Sequence, residues 1–475
     1  MARYLTTTLP YVNADPHIGF ALEIVQADAY ARTARLQGEE VVFNTGTDEH
    51  GSKIFKNSQE AGQTPQEYAD RYANSFSKLR EALNLSYDRF IRTTDPEHVS
   101  AAQEFWRRCE TAGDIYKKAY QIKYCVGCEL EKTDSELIDG HCILHPNLEI
   151  EYIDEENYFF RFSAYADKLK ALYSSNEEFL IPQFRLNEFT SLIDREGLQD
   201  FSISRVAAKM PWGVPVPGDE SQVMYVWFDA LVSYISTIGW PADTEQFEKY
   251  WPVIQFAGKD QVRQQAAMWQ AMLMSAGLPA SKQIFIHGFI TSGGAKMSKS
   301  LGNTVDPIEY VEKYGTDAVR YFLLRHIHPS EDSDFTAERF EEAYTANLVN
   351  GIGNLVARVM KLAEEHLPTP IGLTEADTAV EGAFTTLIDT FSFNEAMDLI
   401  WAHVGKGDEY MATEEPFKKV KVEETKAEGI KDIEKLVRHL AKIAAHLVPV
   451  MPVTAEKILN AVRENKKPEN LFPRI

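Results

Sequence analysis

Residues Tyr11–Phe20 read YVNADPHIGF. A short β-rich run, Tyr4–Leu9, precedes them. An amphipathic run follows, with Ile18, Leu22, Val25, Ala29 and Leu36 at helical spacing. Asp15 suits an N-cap, and Pro16 suits the first helical position, where a missing N–H costs nothing. The pattern therefore predicts a strand, a turn and a helix, with His17 in the helix's first turn. Unsatisfied N–H groups and the positive dipole end collect an anion there. Gly19 lets a flat ligand come close to the backbone. The combination points to a nucleotide-phosphate site. The same residues also serve as an ordinary helix start, so the rest of the chain has to decide.

The chain has 475 residues, a net charge of −22, 44% hydrophobic residues and four cysteines. That is room for two to four domains around a large core. No run approaches the ~18 apolar residues of a membrane span. The N-terminus lacks a signal-peptide pattern, and four cysteines do not make a disulfide framework. A cytoplasmic enzyme is expected, with no membrane partner. The acidic balance concerns solubility rather than any local groove, so RNA would bind on a basic strip and in a salt-sensitive way. Val420–Lys426 and the Lys418–Lys419 pair read as solvated helix face.

Val41–Asn44 (VVFN) reads as a strand and runs into Thr45–Gly51, TGTDEHG. Helical patterns follow at Thr64–Ala82 and Asp95–Ala112. Such alternation predicts a parallel sheet with crossover helices, whose ligands sit beyond the carboxyl ends of the strands. Asp48, Glu49 and His50 then share a crevice with His17, a polar turn being the alternative. In Tyr124–His145, two residues separate Cys125 from Cys128 and two separate Cys142 from His145, with thirteen residues between the pairs. This is the two-knuckle spacing of a closed tetrahedral site, predicting one structural zinc per chain. Cys109 reads as buried packing.

Strands are expected at Asn157–Phe162, Phe201–Arg205, Val223–Phe228, Pro252–Ala257 and Ile284–Ile290. Trp227 falls near the end of the third and His287 within the last. Trp227 and Tyr234 suit either core packing or the wall of an apolar pocket. Helices are expected at Ala164–Leu172, Val262–Ala276 and Pro307–Leu324. The loop Thr291–Asn303, TSGGAKMSKSLGN, carries Lys296 and Lys299 beside a glycine pair. It reads as a flexible polyphosphate clamp or as a basic surface loop. Beyond a linker at His326–Phe335, five helical runs predict an all-α bundle: 337–366, 374–391, 393–412, 429–448 and 453–464.

PHIGF at a helix start, KMSKS on a loop and a C-terminal bundle together resemble class I aminoacyl-tRNA synthetases. TTTLPYVNADPHIG, TGTDEHG, the zinc insert, ISR with PWGVPVPGD, YVWFDAL and HGFITSGGAKMSKSLGN resemble the methionyl-tRNA synthetase family within that class, over roughly residues 3–420. The resemblance implies an α/β fold: a Rossmann-like parallel-sheet catalytic domain with a zinc-knuckle insert and a C-terminal all-α helical bundle. Its parts would be residues 1–115 and 221–325 (catalytic), 116–220 (insert), 326–345 (linker) and 346–475 (anticodon-binding bundle). It further implies methionine activation by ATP with Mg²⁺, then transfer to tRNA(Met).

By the same resemblance, Leu9, Tyr11, Asp48, Trp227, Ala230, Leu231, Tyr234, Ile286 and His287 would form the methionine pocket. His17, Gly19, Phe20, Gly258, Asp260, Lys296, Met297, Ser298 and Lys299 would bind ATP, with His17, Lys296 and Lys299 catalytic. Asn354, Arg358 and Phe417 would read the anticodon, and Cys125, Cys128, Cys142 and His145 would hold zinc. Two positions depart from the family pattern: Phe20 stands where a second histidine is usual, and Phe417 where a tryptophan is usual. The chain stops after the bundle, without the appended domain that gives some relatives a dimer, so a monomer is expected.

Overall fold

A computed structural model describes the chain apart from Met1, Glu129 and residues 133–135 and 298–302, and apart from the side chains of Tyr120, Ile122, Leu130, Glu131, Ile153, Glu155 and Lys296. Two compact units divide it. One comprises Met1–Asp15, Val42–Ser77 and Tyr87–Ile286, the other Pro16–Val41, Lys78–Ser86 and His287–Ile475. Among the described residues no helix is long and apolar enough to cross a membrane.

The first unit is built on a six-stranded sheet. Its spatial order is Arg89–Arg92, Glu40–Thr47, Ala2–Thr6, Ile254–Gly258, Gln283–His287, Leu180–Ile181. Ala2–Thr6 pairs in parallel with Ile254–Gly258, Glu40–Thr47 with Arg89–Arg92, and Gln283–His287 with Leu180–Ile181. Ile254–Gly258 is buried along its whole length, as a strand covered on both faces must be. The helix Pro96–Thr111 starts on a proline and buries Ala101, Ala102, Phe105, Trp106 and Cys109. Phe105 stacks on Trp269, and Trp106 meets Phe228 edge-on. Cys109 is fully buried, which pushes its thiol up to about 12, so it packs as an inert apolar group.

Three expectations are corrected. Val223–Phe228 is not one strand: the strand is Asp219–Met224, and Val226–Leu231 is helical. The amides of Phe228 and Asp229 both donate to the Tyr225 carbonyl, and the Asp229 carboxylate is anchored from two sides, so tertiary polar contacts override β propensity. Ile284–Ile290 breaks at Gly288, where a Cβ would lie 2.2 Å from the Glu331 backbone, leaving Ile290–Ser292 as a separate strand. Pro307–Leu324 is two helices, Pro307–Tyr314 and Thr316–Arg325, because Gly315 sits at φ +88°.

An antiparallel hairpin, Ile115–Cys125 against Glu151–Phe160, carries the insert, its pairs running from Ile115–Phe160 to Tyr124–Glu151. The helix Gln183–Glu196 also belongs to this unit.

The second unit holds the helix Ile18–Leu36, a small sheet with Ile290–Ser292 between Ala295–Lys296 and Ser333–Asp334, and the helical C-terminal part. There Ala337–Ala343 passes through a π-helical stretch, Tyr344–Gly353, into Asn354–His366. Phe393–Glu414, Lys426–Leu447 and Pro452–Glu464 pack beside it. Arg320 is fully buried. It donates to the carbonyls of Leu83, Pro449 and Val450 and pairs with Asp28 at 2.8 Å, fastening three chain segments to the first helix. A buried charge is tolerable only with such a complete partner set.

Candidate active site

Glu40–Thr47 ends where Asp48, Glu49 and His50 begin, at the carboxyl edge of the sheet. Asp48 bridges Tyr11 in parallel register: its amide donates to the Pro10 carbonyl at 3.0 Å, and the Val12 amide donates to its carbonyl at 3.1 Å. The carboxylate is therefore fixed by backbone on both sides and nearly buried. Gly51 follows at φ +109°, and a Cβ there would come within 2.5 Å of the Tyr11 hydroxyl. This is a close approach only glycine allows.

Glu49 and His50 brace the turn. The Glu49 carboxylate is buried and accepts from Thr47, Thr94 and, through both oxygens, the Arg92 guanidinium. Trp212 donates its indole N–H to the Glu49 carbonyl, and the Gly51 amide donates to the Trp212 carbonyl. The Pro/Gly loop that holds Trp212 thereby locks the turn. His50 Nδ1 lies 2.6 Å from one oxygen of Asp229, and His98 Nε2 lies 2.6 Å from the other. Burial pushes the Asp229 carboxyl up, but the two imidazoles outweigh it and hold its pKa at about 2. Asp229 thus ties the Asp48 turn to the helix Val226–Leu231. Sequence reading did not assign it this role, because nothing local to YVWFDAL or to the lone His98 shows that they meet.

Asp229→Asn keeps the shape but removes the charge and leaves one imidazole without an acceptor. We expect a loss of about 1–3 kcal/mol in urea unfolding. Wild-type stability in that variant would refute the bracing role.

On the same helix Trp227 is half-buried, and Ala230 and Leu231 are buried. Leu231, Tyr234 and Ile286 lie inside one apolar cluster, with Trp227 packed on it. The Tyr234 hydroxyl accepts from Gln265, which is itself held by Gln255 and through it Ser281, a buried polar chain that sequence spacing does not reveal. Leu9 is half-buried just past the first strand. Gly258 ends its strand and opens a short 3₁₀ turn carrying Asp260, which is exposed.

His17, Gly19, Phe20, His287, the lysine loop and the anticodon residues lie in the second unit. His17 is not in the first helical turn but is the N-cap of Ile18–Leu36, its Nδ1 accepting the Gly19 amide at 3.1 Å. Asp15, expected to cap, is exposed and outside the helix. Gly19 is needed here too, since a Cβ would lie 2.9 Å from the His17 ring. Phe20 is half-buried in the first turn, with its amide on the His17 carbonyl. His287 Nε2 lies 2.8 Å from Glu23 of the same helix, and Nδ1 lies 2.7 Å from the Gly288 carbonyl. Lys296 ends a two-residue strand and Met297 is buried, while Ser298 and Lys299 lie outside the described residues. Asp334 accepts from Thr291 and the Gly294 amide, pinning the turn before Lys296. Asn354 and Arg358 are exposed one helical turn apart, Arg358 lying 3.4 Å from Asp408. Phe417 is half-buried on the short helix Pro416–Lys419.

Cys125, Cys128, Cys142 and His145 converge at the tip of the long hairpin, their ligand atoms all within 4.8 Å of one another. Cys128 Sγ lies 3.3 Å from Cys142 Sγ, and the three sulfurs lie 3.2–4.0 Å from His145 Nδ1. A tetrahedron with Zn–S of about 2.3 Å has edges near 3.8 Å, so the donor set fits one zinc ion. A Cβ on Gly127 would lie 2.6 Å from the His145 ring, so glycine is what admits the imidazole.

Asp48 stands at the carboxyl edge of a parallel sheet, where sheets of this kind bind their ligands, and is tied through His50 and Asp229 to the helix that carries Trp227. The profile of the family described as tRNA synthetases class I (M) matches residues 3–145 and 128–360, and the chain belongs to that family. It is 40% identical to the methionine–tRNA ligase of a Nostoc species over 96% of this chain and 88% of the relative. With the Thermotoga maritima methionine–tRNA ligase it shares 39% identity, over 98% and 76% of the two chains. The fold matches Mycobacterium tuberculosis methionyl-tRNA synthetase in complex with methionyl-adenylate at a TM-score of 0.90. That pair shares 38% identity and covers 97% and 93% of the chains.

Proposed function

We propose that this protein is a methionine–tRNA ligase, which joins methionine to AMP using ATP and then transfers it to the 3′ end of tRNA(Met). The observation that carries the reading is Asp48: a nearly buried carboxylate, fixed by backbone to Tyr11 and tied through His50 and Asp229 to the helix bearing Trp227. Asp48 holds the substrate ammonium, and Trp227, Tyr234 and Leu9 enclose a thioether, whose sulfur packs well on aromatic rings. The methionine carboxylate attacks the ATP α-phosphate in line, with pyrophosphate leaving. No general base is required, and positioning with charge stabilisation supplies the rate.

His17, Gly19, Gly258 and Asp260 bind the nucleotide, with Lys296 and Lys299 on its phosphates; Mg²⁺ enters with the ATP. Asn354, Arg358 and Phe417 read the anticodon. Zinc, when bound by its four ligands, cross-links the hairpin tip and has no open position for substrate. On this reading the enzyme works in the cytoplasm as a monomer. The deciding measurement is ATP–pyrophosphate exchange across the amino acids. Exchange with methionine well above all others supports the reading, and cysteine outcompeting methionine would overturn it.

Phe20 cannot donate to a phosphate. Phe20→His restores a donor worth roughly 1.5–3 kcal/mol when charge-assisted. We expect methionine-dependent exchange to rise by up to about a hundredfold or to hold level. A large fall would mean that Phe20 is itself part of the pocket.

A further inference from the structure

In the second unit the helices Phe393–Glu414 and Lys426–Leu447 and the short helix Glu375–Thr378 enclose a cavity of about 310 Å³. Four of its ten lining residues are lysine or arginine, in a chain of net charge −22 with only 49 such residues in 475. Lys435, Arg438 and Lys442 stand at i, i+3 and i+7 of one helix, so their cations share a face. Lys406 joins them from the facing helix, one turn before Tyr410. Like charges at this spacing repel and weaken a helix. Nothing in the proposed chemistry uses them.

Nearby carboxylates do not balance the group. Asp377 pairs with Arg438 at 2.7 Å, Glu381 with Lys442 at 2.6 Å, and Asp432 with Lys419 at 2.8 Å. Lys406 and Lys435 are exposed, and among the described residues neither makes an ion pair. Burial holds the His439 imidazole below its ordinary pKa, and the ammoniums of Lys442, Lys406 and Lys435 press it further down. Three positive fields therefore meet at one ring in the cavity wall. Gly407, also in the wall, gives that ring its room: a Cβ there would lie 3.3 Å from it and 2.9 Å from Leu355.

Lysines around a recess bind phosphate as point charges, and converging cations favour the multiply charged forms. The volume, at the low end for ligand cavities, admits a di- or triphosphate. RNA fits less well. The Tyr410 ring already carries the Lys435 ammonium at 4.1 Å, and its hydroxyl donates to Asp432. Arg358, assigned to the anticodon, meets the same helix at Asp408. Positions 406 and 410 are each two residues from 408, about 200° round the helix.

We infer that this cavity is a second polyphosphate site, holding inorganic pyrophosphate or the polyphosphate end of a nucleotide on Lys406, Lys435, Arg438 and Lys442. It is separate from the residues assigned to ATP, and the inference stands apart from the proposed reaction, which uses none of these side chains.

The test follows the His439 ring resonances in full-length, zinc-loaded protein carrying ¹³C,¹⁵N-labelled histidine, assigned by their loss in His439→Gln. Pyrophosphate should shift them saturably in the wild type. In a variant combining Lys406→Glu with Lys435→Glu, the apparent Kd should rise at least about tenfold. An unchanged circular-dichroism spectrum shows that this variant folds. ATP in place of pyrophosphate separates the two sources: a shift with ATP assigns the nucleotide, and a shift with pyrophosphate alone assigns the free anion, either result supporting the site. The inference is overturned if pyrophosphate leaves His439 unmoved, if sulfate at equal ionic strength does as much, or if the variant binds as the wild type does. A fall in tRNA(Met) affinity in the variant, with His439 unmoved by pyrophosphate, would give the patch to RNA and overturn it too.

Discussion

Asp48→Asn is expected to lower kcat/KM for methionine in the exchange reaction by about 10²- to 10⁴-fold while leaving the fold intact. The backbone bonds that place residue 48, from its amide to Pro10 and from Val12 to its carbonyl, do not depend on the side chain. Asparagine therefore occupies the same place without the charge. What is lost is the charge-assisted contact to a desolvated ammonium. Removing one partner of a buried pair costs about 3–5 kcal/mol, since the other charge is left uncompensated. Each 1.36 kcal/mol is a factor of ten in rate. The loss should fall mainly on methionine: KM for ATP should move little, because the residues assigned to the nucleotide lie elsewhere in the chain. A steady-state series varying methionine and ATP separately checks this. An unchanged methionine kcat/KM would remove Asp48 from the pocket.

Cys128→Ser should have the largest structural effect. Among the described residues the hairpin tip has a very small core of its own: Cys125, Cys142 and Ile150 are buried, with Cys128 and Leu137 packed on them. Apolar burial on that scale does not order a loop of some twenty residues against conformational entropy of about 1–2 kcal/mol per residue. Structural zinc contributes apparent free energies of about 10–16 kcal/mol in small domains. Losing one thiolate opens the tetrahedron, so zinc measured by elemental analysis should fall well below one per chain. Backbone amides of residues 125–150 should lose hydrogen-exchange protection, while the parallel sheet keeps its own. Full metal retention would refute the ligand set.

Four of the sheet's six strands, Ala2–Thr6, Glu40–Thr47, Ile254–Gly258 and Gln283–His287, were legible as short apolar or β-rich runs bounded by turn signals, whereas Arg89–Arg92 is too polar and Leu180–Ile181 too short to be read. The zinc ligands were legible because cysteine spacing is specific and cysteine is scarce in this chain. The long hairpin was not: Ile115–Cys125 reads IYKKAYQIKYC, too polar for a buried run, and its partner lies beyond the knuckle. YVWF read as a strand because its residues favour strands; the Asp229 contacts that make it helical come from residues 50 and 98. The candidate site splits along the same line. Asp48 and Trp227 could be named from motifs, but the network joining their two segments is long-range and leaves no local periodicity.

The helix beginning at Ile18 carries one further consequence. An imidazole nitrogen that accepts the Gly19 amide cannot carry a hydrogen, so neutral His17 is the Nε2–H tautomer before any ligand arrives. The hydrogen therefore sits on the nitrogen that takes no part in the cap. One nitrogen keeps the helix start intact so that the other can offer its hydrogen. Nitrogen-15 chemical shifts of this single ring, recorded with and without nucleotide, would report on both nitrogens at once.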